Sequence, residues 1–238
     1  EAGAQPRVQD STVVIDGREI DVALGDRGMR ARGGVKTTLL PAPAGRGAQG
    51  ARRPGLFATG TAVNVSADSI DYEGDARRAT YRGDATLWQG ETAVRANVID
   101  VDDAKGDLVA TGNARSTIAM EGGASIAQAE RLRYIDTSHT MNYTSATDAK
   151  GAVTQQARLS GPQGDLQADR IDVVLREGAR QMDRLEAAGR DRADPADRVG
   201  IQPPRMPLID DVREQVAVGD HPFATGERRP DHLGHQLC

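Results

Sequence analysis

Side chains able to do chemistry are few in this sequence, and their spacing does not fit a catalytic or metal site. The run Asp100–Gly106 sets oxygen ligands at alternate positions before a glycine, as a Ca²⁺ loop does, but it lacks the closing glutamate and contains Lys105. We expect a plain hairpin turn there. His232, His235 and Cys238 offer three zinc ligands, whereas a structural zinc site needs four on a fixed frame. No metal and no cofactor are therefore predicted.

Nucleophilic catalysis also lacks suitable residues. The patterned part of the chain supplies His139 alone among histidines, and no Ser or Cys lies in a strand-turn-helix context that would activate it. Asp and Glu are plentiful, but they alternate along strand-like runs as on any solvated face. The sequence therefore predicts a protein that is not an enzyme. Trp88, the single tryptophan, is predicted to cap the sheet by packing, with ligand gating as the alternative role.

A short phrase recurs four times along the chain. Each copy begins with alanine and has a branched aliphatic residue three positions later and an apolar residue two further on, which is strand chemistry with a period near two. The copies begin at Ala67, Ala96, Ala129 and Ala168, so the spacings are 29, 33 and 39 residues. Spacings of this size indicate stacked supersecondary units.

A glycine follows the first two copies at a fixed distance. Gly83 and Gly112 each lie sixteen positions after the alanine, and they open the similar phrases Gly83-Asp84-Ala85 and Gly112-Asn113-Ala114. A related phrase begins at Gly33-Gly34. The chain is therefore expected to enter partway through an earlier unit.

Composition bounds the class of protein. At 238 residues the chain can bury a sizeable core, as one large all-β domain or two small ones. Only 3% of residues are aromatic, so the buried face must be built from Val, Ile, Leu and Ala. The net charge of −5, with both signs interleaved, leaves no basic footprint for nucleic acid. No apolar run approaches the roughly 18 residues that span a bilayer.

Strand patterns predict one β domain over residues 8–189. The runs 12–15 and 20–24, joined through Asp16-Gly17, predict a β-hairpin. From 76 to 88 apolar and polar residues alternate, which predicts one dry and one solvated face. A closing strand is predicted at 182–189.

Two segments depart from this pattern. Residues 41–55 are rich in Pro and Gly and have no apolar face, which predicts a flexible loop inside the domain. Residues 190–238 hold six of the eleven prolines and lose the repeat, which predicts an irregular C-terminal tail.

The central part of the chain, about residues 60 to 120, resembles the OstA/LptA-like family of periplasmic lipopolysaccharide (LPS) transport domains, which is related to LptC and to the N-terminal domain of LptD. Weaker echoes lie at 18–40 and 124–189. The phrases that carry the resemblance are Ala67–Tyr72, Ala79–Ala85, Leu87–Gly90, Ala96–Val101 and Gly112–Ala114.

The resemblance implies a fold and a role. The fold is a curled antiparallel sheet, a β-jelly-roll or folded taco, whose apolar interior holds acyl chains of lipid A. The implied partners are LPS, and LptC-like and LptD-like proteins or a second copy of the chain, joined by pairing of edge strands. The implied location is the periplasm. Because the chain begins at Glu1, we expect a mature or truncated piece, with tethering to the inner membrane through a preceding segment as one arrangement.

Transferred to this sequence, the resemblance gives a set of groove-facing residues. Arg78, Arg82 and Arg95 are candidates for phosphate contacts at a rim, with solvated surface charge as the alternative. The groove-facing candidates are Ala79, Tyr81, Ala85, Leu87, Val94, Ala96, Ile99, Val101, Leu108 and Ala110.

Two further hypotheses compete with a lipid carrier. One is a structural β-solenoid-like scaffold or interaction module whose interior is packed by its own side chains and binds no lipid. The other is a carbohydrate-active β-helix enzyme, which would need paired carboxylates on one face, and no copy of the repeat supplies them consistently.

Overall fold

The structure of the protein is a computed structural model that describes residues 5–25, 27–41, 52–176, 178 and 181–189. The predicted tail and residues 42–51 of the predicted loop lie outside this part. The described part is nearly all β-strand, with one 3₁₀ turn at Asp136–Ser138. Within it, no helix has the length and apolar character of a membrane span.

Sixteen strands follow one another along the described residues. They are β1 (Arg7–Gln9), β2 (Val13–Asp16), β3 (Glu19–Ala23), β4 (Gly28–Leu39), β5 (Val63–Glu73), β6 (Arg78–Gln89), β7 (Thr92–Asp102), β8 (Asp107–Met120), β9 (Gly123–Ile135), β10 (Thr140–Thr144), β11 (Ala146–Thr147), β12 (Val153–Gln155), β13 (Ala157–Gly161), β14 (Gly164–Ala168), β15 (Arg170–Leu175) and β16 (Met182–Ala188).

Fourteen of these strands form one antiparallel sheet. Eleven of them follow one another across the sheet in the order β1-β2-β4-β5-β6-β7-β8-β9-β10-β15-β16, and β3, β13 and β14 pair beside this path. Strand β3 also pairs with β4, and β13 joins β9 and carries β14, while β11 and β12 form a separate ribbon. The predicted fold class, an all-β curled antiparallel sheet built from repeated strand pairs, is confirmed. The strand predicted at 182–189 is β16.

The hairpin predicted across Asp16-Gly17 is wrong. Strands β2 and β3 do not pair with each other, because both pair with β4, at Lys36–Leu39 and Gly28–Arg32 respectively. The Arg18 N–H donates to the Arg32 carbonyl at 2.9 Å, so the chain continues along β4 without reversing. The Asp-Gly signal is local, whereas the long neighbouring strand decided the pairing.

The repeated glycine phrase marks a β-bulge in every second long strand. Gly33-Gly34 of β4, Gly83-Asp84 of β6 and Gly112-Asn113 of β8 each place two successive residues at positive φ, between 47° and 84°. Each pair adds one residue relative to the neighbouring strands. Glycine leads each bulge because it adopts positive φ without steric cost.

The alanine phrase lies opposite these bulges, on β5, β7 and β9. The bulged strand has one residue more than the alanine strand beside it. The two buried side chains that flank the bulge are therefore four positions apart on the bulged strand and three positions apart on the alanine strand. This offset produces the repeat seen in the sequence. The pairs three apart are Ala67 and Ile70, Ala96 and Ile99, and Ala129 and Leu132; those four apart are Ala31 and Val35, Tyr81 and Ala85, and Ala110 and Ala114.

The bulges form a row along which the sheet folds onto itself. The Ser116 Oγ of β8 lies 2.8 Å from the Tyr143 hydroxyl of β10. Their partners on β9, Ala127 and Leu132, are separated by about 16 Å along an extended strand. The two hydroxyls can therefore meet only if the sheet folds between them.

The fold line divides the sheet into two layers that enclose the core. Layer A contains β3, β10, β15, β16 and residues 28–32, 69–73, 78–82, 98–102, 107–111 and 131–135. Layer B contains β1, β2, β13, β14 and residues 35–39, 63–67, 85–89, 92–96, 114–120 and 123–129.

Residues 52–57 differ from the flexible loop predicted for 41–55. Pro54, Leu56 and Phe57 are buried, the last two within the core. The Asp136 carboxylate holds the segment by accepting hydrogen bonds from Arg52 Nε at 2.9 Å and from the Gly55 N–H at 2.7 Å. The composition of the segment could not predict this fixed conformation, because the Asp136 carboxylate that holds it lies more than 80 residues further along the chain.

Candidate functional site

All ten groove-facing candidates lie on the inner face of the folded sheet, where each is buried. They come from β6, β7 and β8, which pair in register, and the alternation along each strand turns them toward the core. Three of them, Ala79, Tyr81 and Val101, line an open cavity. The other seven, Ala85, Leu87, Val94, Ala96, Ile99, Leu108 and Ala110, do not line this cavity. Contact between these residues and a lipid stays a prediction.

The cavity lies between the layers at the N-terminal side of the sheet and has a volume of about 390 Å³. Met29 and Leu39, near opposite ends of β4, both line it, so the fold at Gly33-Gly34 creates the enclosure. Its walls are mainly apolar, as small-molecule sites usually are. Val22 and Leu24, which are 52% and 89% exposed, form an apolar lip at its edge.

Four charged side chains also line the cavity. Arg27 donates to Asp75 at 3.1 Å, so its charge is paired. Arg53 donates to the Thr61 carbonyl at 2.7 Å, and burial lowers the pKa of its guanidinium. Asp10 and Asp103 are the two carboxylates.

The two carboxylates differ in their surroundings. Burial acts to raise the pKa of Asp10, but hydrogen bonds from the Thr12 N–H and hydroxyl and from the Val13 N–H outweigh it and hold that pKa below its usual value. Burial raises the pKa of Asp103 to about 6, against the opposing effect of Arg77. Asp10 is therefore ionised near neutral pH, whereas Asp103 titrates close to neutral pH.

A second polar cluster closes the layers around the 52–57 segment. The Asp136 carboxylate is 5% exposed and forms an ion pair of 2.7 Å with Arg52. It also accepts a hydrogen bond of 3.3 Å from the Tyr134 hydroxyl, while its own N–H donates to Asp107 Oδ1 at 2.9 Å. Burial raises the pKa of Tyr134, with Asp136 adding to the shift, so that hydroxyl stays a donor. This arrangement is structural, because both oxygens of the buried Asp136 carboxylate accept hydrogen bonds from within the chain.

Several predicted features lie away from the cavity. Trp88 follows the buried Leu87 on β6 and so lies on the outer face, where it is half-buried. Arg78, Arg82 and Arg95 are exposed, and Arg95 pairs with Asp84 at 2.6 Å. These positions favour solvated surface charge for the three arginines and do not support a gating role for Trp88.

The predicted turn and the lone histidine are structural as well. Asp102 Oδ1 accepts hydrogen bonds from the N–H groups of Ala104 and Lys105, both at 3.0 Å, within the β7–β8 hairpin. His139 follows the 3₁₀ turn at φ 49°, with Nδ1 3.3 Å from the Tyr134 hydroxyl. Across the described ranges, no three His, Cys, Asp or Glu side chains gather as a metal site would require.

Most of the cavity was not predicted from the sequence. The runs over β2 and β3 were identified as strands, but nothing local indicated that the N-terminal strands fold over β5 to β7. The lining residues that sequence reasoning missed are Val8, Asp10, Thr12, Val13, Ile15, Val22, Ala23, Leu24, Arg27, Gly28, Met29, Leu39, Leu40, Arg53, Pro54, Ile70, Tyr72 and Asp103.

Comparison with known families gives a match over the centre of this fold. Residues 64–162, from β5 to β13, match the family described as LptA/(LptD N-terminal domain) LPS transport protein. Residues 64–162 are an OstA/LptA-like domain. The match covers less than half of the chain and includes all ten groove-facing candidates. The family is described by LPS transport and not by a reaction, which gives the OstA/LptA-like domain a role in LPS transport.

Among solved structures, the chain is similar to LptH from Pseudomonas aeruginosa, described as the LptA homologous periplasmic component of the LPS transport device. The identity is 19%, the TM-score is 0.43, and the similarity covers 59% of this chain and 90% of that one. Comparison with curated proteins gives no match.

Proposed function

We propose that the OstA/LptA-like domain is a non-enzymatic carrier segment that moves LPS through the periplasm, with acyl chains of lipid A received between layers A and B. The observation that carries the proposal is the 390 Å³ cavity with apolar walls, which this domain lines through β5, β6 and β7 and the preceding part of the chain closes. Hydrocarbon gains about 0.8 kcal/mol per buried methylene. Such a site therefore needs apolar area more than polar contacts.

The ten candidates divide into two groups under this proposal. Ala79, Tyr81 and Val101 would contact the first chain to enter, because they already line the cavity. The remaining seven would contact lipid only after the layers separate, since at present they are buried within the core. A lipid with several chains thus requires a wider opening between the layers.

The free edges of the whole sheet suggest how the chain would join its partners. Within the described residues, β16 pairs only with β15, and β1 pairs only with β2. An open edge presents unpaired N–H and C=O groups that can accept another strand. We infer that LptC-like or LptD-like proteins, or a second copy of this chain, add strands at these edges.

Photocrosslinking to LPS tests the carrier role. Tyr81 and Trp88 are both aromatic and lie on β6, facing the interior and the outer face respectively. A photoreactive phenylalanine analogue at Tyr81 should crosslink to LPS, and the same analogue at Trp88 is the matched control. Crosslinking at both positions, or at neither in a folded protein, would contradict the proposal.

A scaffold that binds no lipid is the second candidate function. The observation that favours it is that seven of the ten candidates lie in the core and outside the cavity. This alternative predicts no crosslink from Tyr81 and no lipid in the purified protein, together with retained strand pairing to a partner.

A further inference from the structure

Arg53 is a partly buried cation at the edge of an apolar cavity. Among the described residues it forms no ion pair, and its one hydrogen bond goes to the Thr61 carbonyl. A guanidinium has five N–H donors, so most of this group is available to a ligand. The other cavity arginine, Arg27, is already paired with Asp75. The site therefore has one cation suited to an incoming anion.

Among the described residues, neither carboxylate of the cavity forms an ion pair with Arg53. Asp10 accepts three hydrogen bonds from Thr12 and Val13. Asp103 lies beside Arg77, whose guanidinium also donates to the Asp103 carbonyl at 3.2 Å. Both acidic groups are thus engaged by neighbours other than Arg53.

The volume of the cavity limits its occupant. At about 30 Å³ for a water-sized group, a volume of 390 Å³ holds roughly a dozen such groups. That is the size of one medium-length acyl chain and much less than the several chains of lipid A. The walls around this space are apolar and include Val13, Ile15, Met29, Leu39, Leu40 and Ile70.

The lip provides a route into the cavity. Val22 and Leu24 are the exposed large apolar residues at this end of the sheet. They belong to the end of β3 and the turn that follows it, and both line the cavity. These two side chains give a hydrocarbon chain an apolar surface at the entrance.

We propose that the cavity binds a single-chain anionic amphiphile of the fatty-acid class, with the carboxylate on Arg53 and the chain between the two layers. The inference rests on the proposed function in that it uses the same lipid site. It names the smaller ligand, with one chain and one anionic group, that the cavity holds before the layers separate. It also assigns Arg53 as the residue that selects for an anion.

Binding of dodecanoate to the full chain tests this inference by calorimetry. The matched ligand is methyl dodecanoate, which has the same chain and no charge, and the matched variant is Arg82→Gln, which removes an exposed arginine on the outer face. Arg53→Gln should weaken dodecanoate binding about tenfold, the loss expected for one charge-assisted hydrogen bond. It should leave the methyl ester unchanged, and Arg82→Gln should change neither.

Chain length gives a second measurement that does not depend on a variant. From octanoate upward, affinity should rise about fourfold for each added methylene and level off near twelve carbons. Failure of the wild-type chain to bind dodecanoate, a rise that continues to eighteen carbons, or equal weakening of both ligands by Arg53→Gln would overturn the inference. LPS crosslinking from Tyr81 without dodecanoate binding would reject this inference alone, whereas dodecanoate binding without that crosslink would reject the transport role alone.

Discussion

At the scale of single residues, the Asp136 carboxylate connects segments that are far apart in the chain. It joins Arg52 and Gly55 to the end of β9, and it is almost fully buried. A buried charge is stable only when its hydrogen-bonding capacity is filled. The 52–57 segment supplies those donors and thereby brings Leu56 and Phe57 into the core.

Replacing Asp136 by Asn should destabilise the protein. Asp136→Asn removes the ion pair with Arg52. The NH₂ of the new asparagine side chain also replaces one acceptor oxygen, so the N–H group of Arg52 or of Gly55 loses its hydrogen-bond acceptor. We expect a loss of about 2 kcal/mol in the free energy of unfolding, within the range for a disrupted buried polar group. Chemical denaturation measures it. The control is Asp84→Asn, which breaks the exposed pair with Arg95 and should cost less than about 1 kcal/mol; equal losses would refute the role of Asp136.

Asp103 should make stability depend on pH. Its pKa is raised to about 6 in the folded protein, compared with about 3.9 in an unfolded chain. Between these values the folded state binds more protons, so the contribution of Asp103 to stability falls as the pH rises from about 4 to 6.

Asp103→Asn removes this titration. The stability of the variant relative to the wild type should therefore increase across that window by an amount of order 2 kcal/mol and stay constant above it. Denaturation at pH 4, 5, 6 and 7 measures the difference. A difference that does not vary with pH would show that Asp103 has an ordinary pKa.

At the scale of elements, the row of bulges determines how the long strands fold. Each bulge places two residues at positive φ, and a corner forms where three such pairs align across the sheet. The side chain of Asp68 on β5 occupies the space beside Gly83, and Asn97 on β7 occupies the space beside Gly112. Glycine is thus required both for the backbone conformation and for the close approach of the neighbouring strand.

Gly83→Ala should therefore cost more stability than Gly90→Ala. Both glycines have positive φ, at 80° and 55°, so both variants carry the cost of a left-handed residue, about 1 kcal/mol. A Cβ at Gly83 would also collide with the Asp68 side chain, whereas a Cβ at Gly90 meets no atom within 4 Å. We expect Gly83→Ala to lose about 1 kcal/mol or more beyond the loss at Gly90. Thermal melting of the two variants compares them, and equal melting temperatures would contradict a close-approach role.

At the scale of the whole domain, the sheet has open ends that its own residues do not close. The outer edge of β16 has no partner strand among the described residues. Three exposed charged residues, Asp183, Arg184 and Glu186, lie along this strand, and charged side chains are common at edges protected from random pairing. Such an edge suits a partner that pairs specifically.

Glu186→Lys should weaken any association that uses this edge. Glu186 is exposed on β16, and Glu130 is exposed on the central strand β9, so Glu130→Lys makes the same change of charge away from the edge. We expect the edge variant to lower self-association or partner binding several-fold and the central variant to have little effect. Sedimentation over a range of concentrations measures self-association. If Glu130→Lys weakened it equally, net charge would be responsible in place of strand pairing.

The sequence alone indicated most of the long strands and the inner face of the central hairpins. Alternation sets which side chains share a face, so Tyr81, Leu87 and Ile99 could be assigned to the interior from local pattern. The resemblance to the family was carried by short phrases of the central strands, among them Ala67–Tyr72, Leu87–Gly90 and Ala96–Val101.

Only the tertiary structure decided the partner of β2, the packing of residues 52–57 and the position of the cavity. Each depends on groups far apart in the chain, as with Asp136 and Gly55 or Met29 and Val101. Local preferences fix the conformation of a segment but do not determine which distant segment it contacts. That choice follows from the fold along the row of bulges, which brings Arg53 and the N-terminal strands to the same space between the layers.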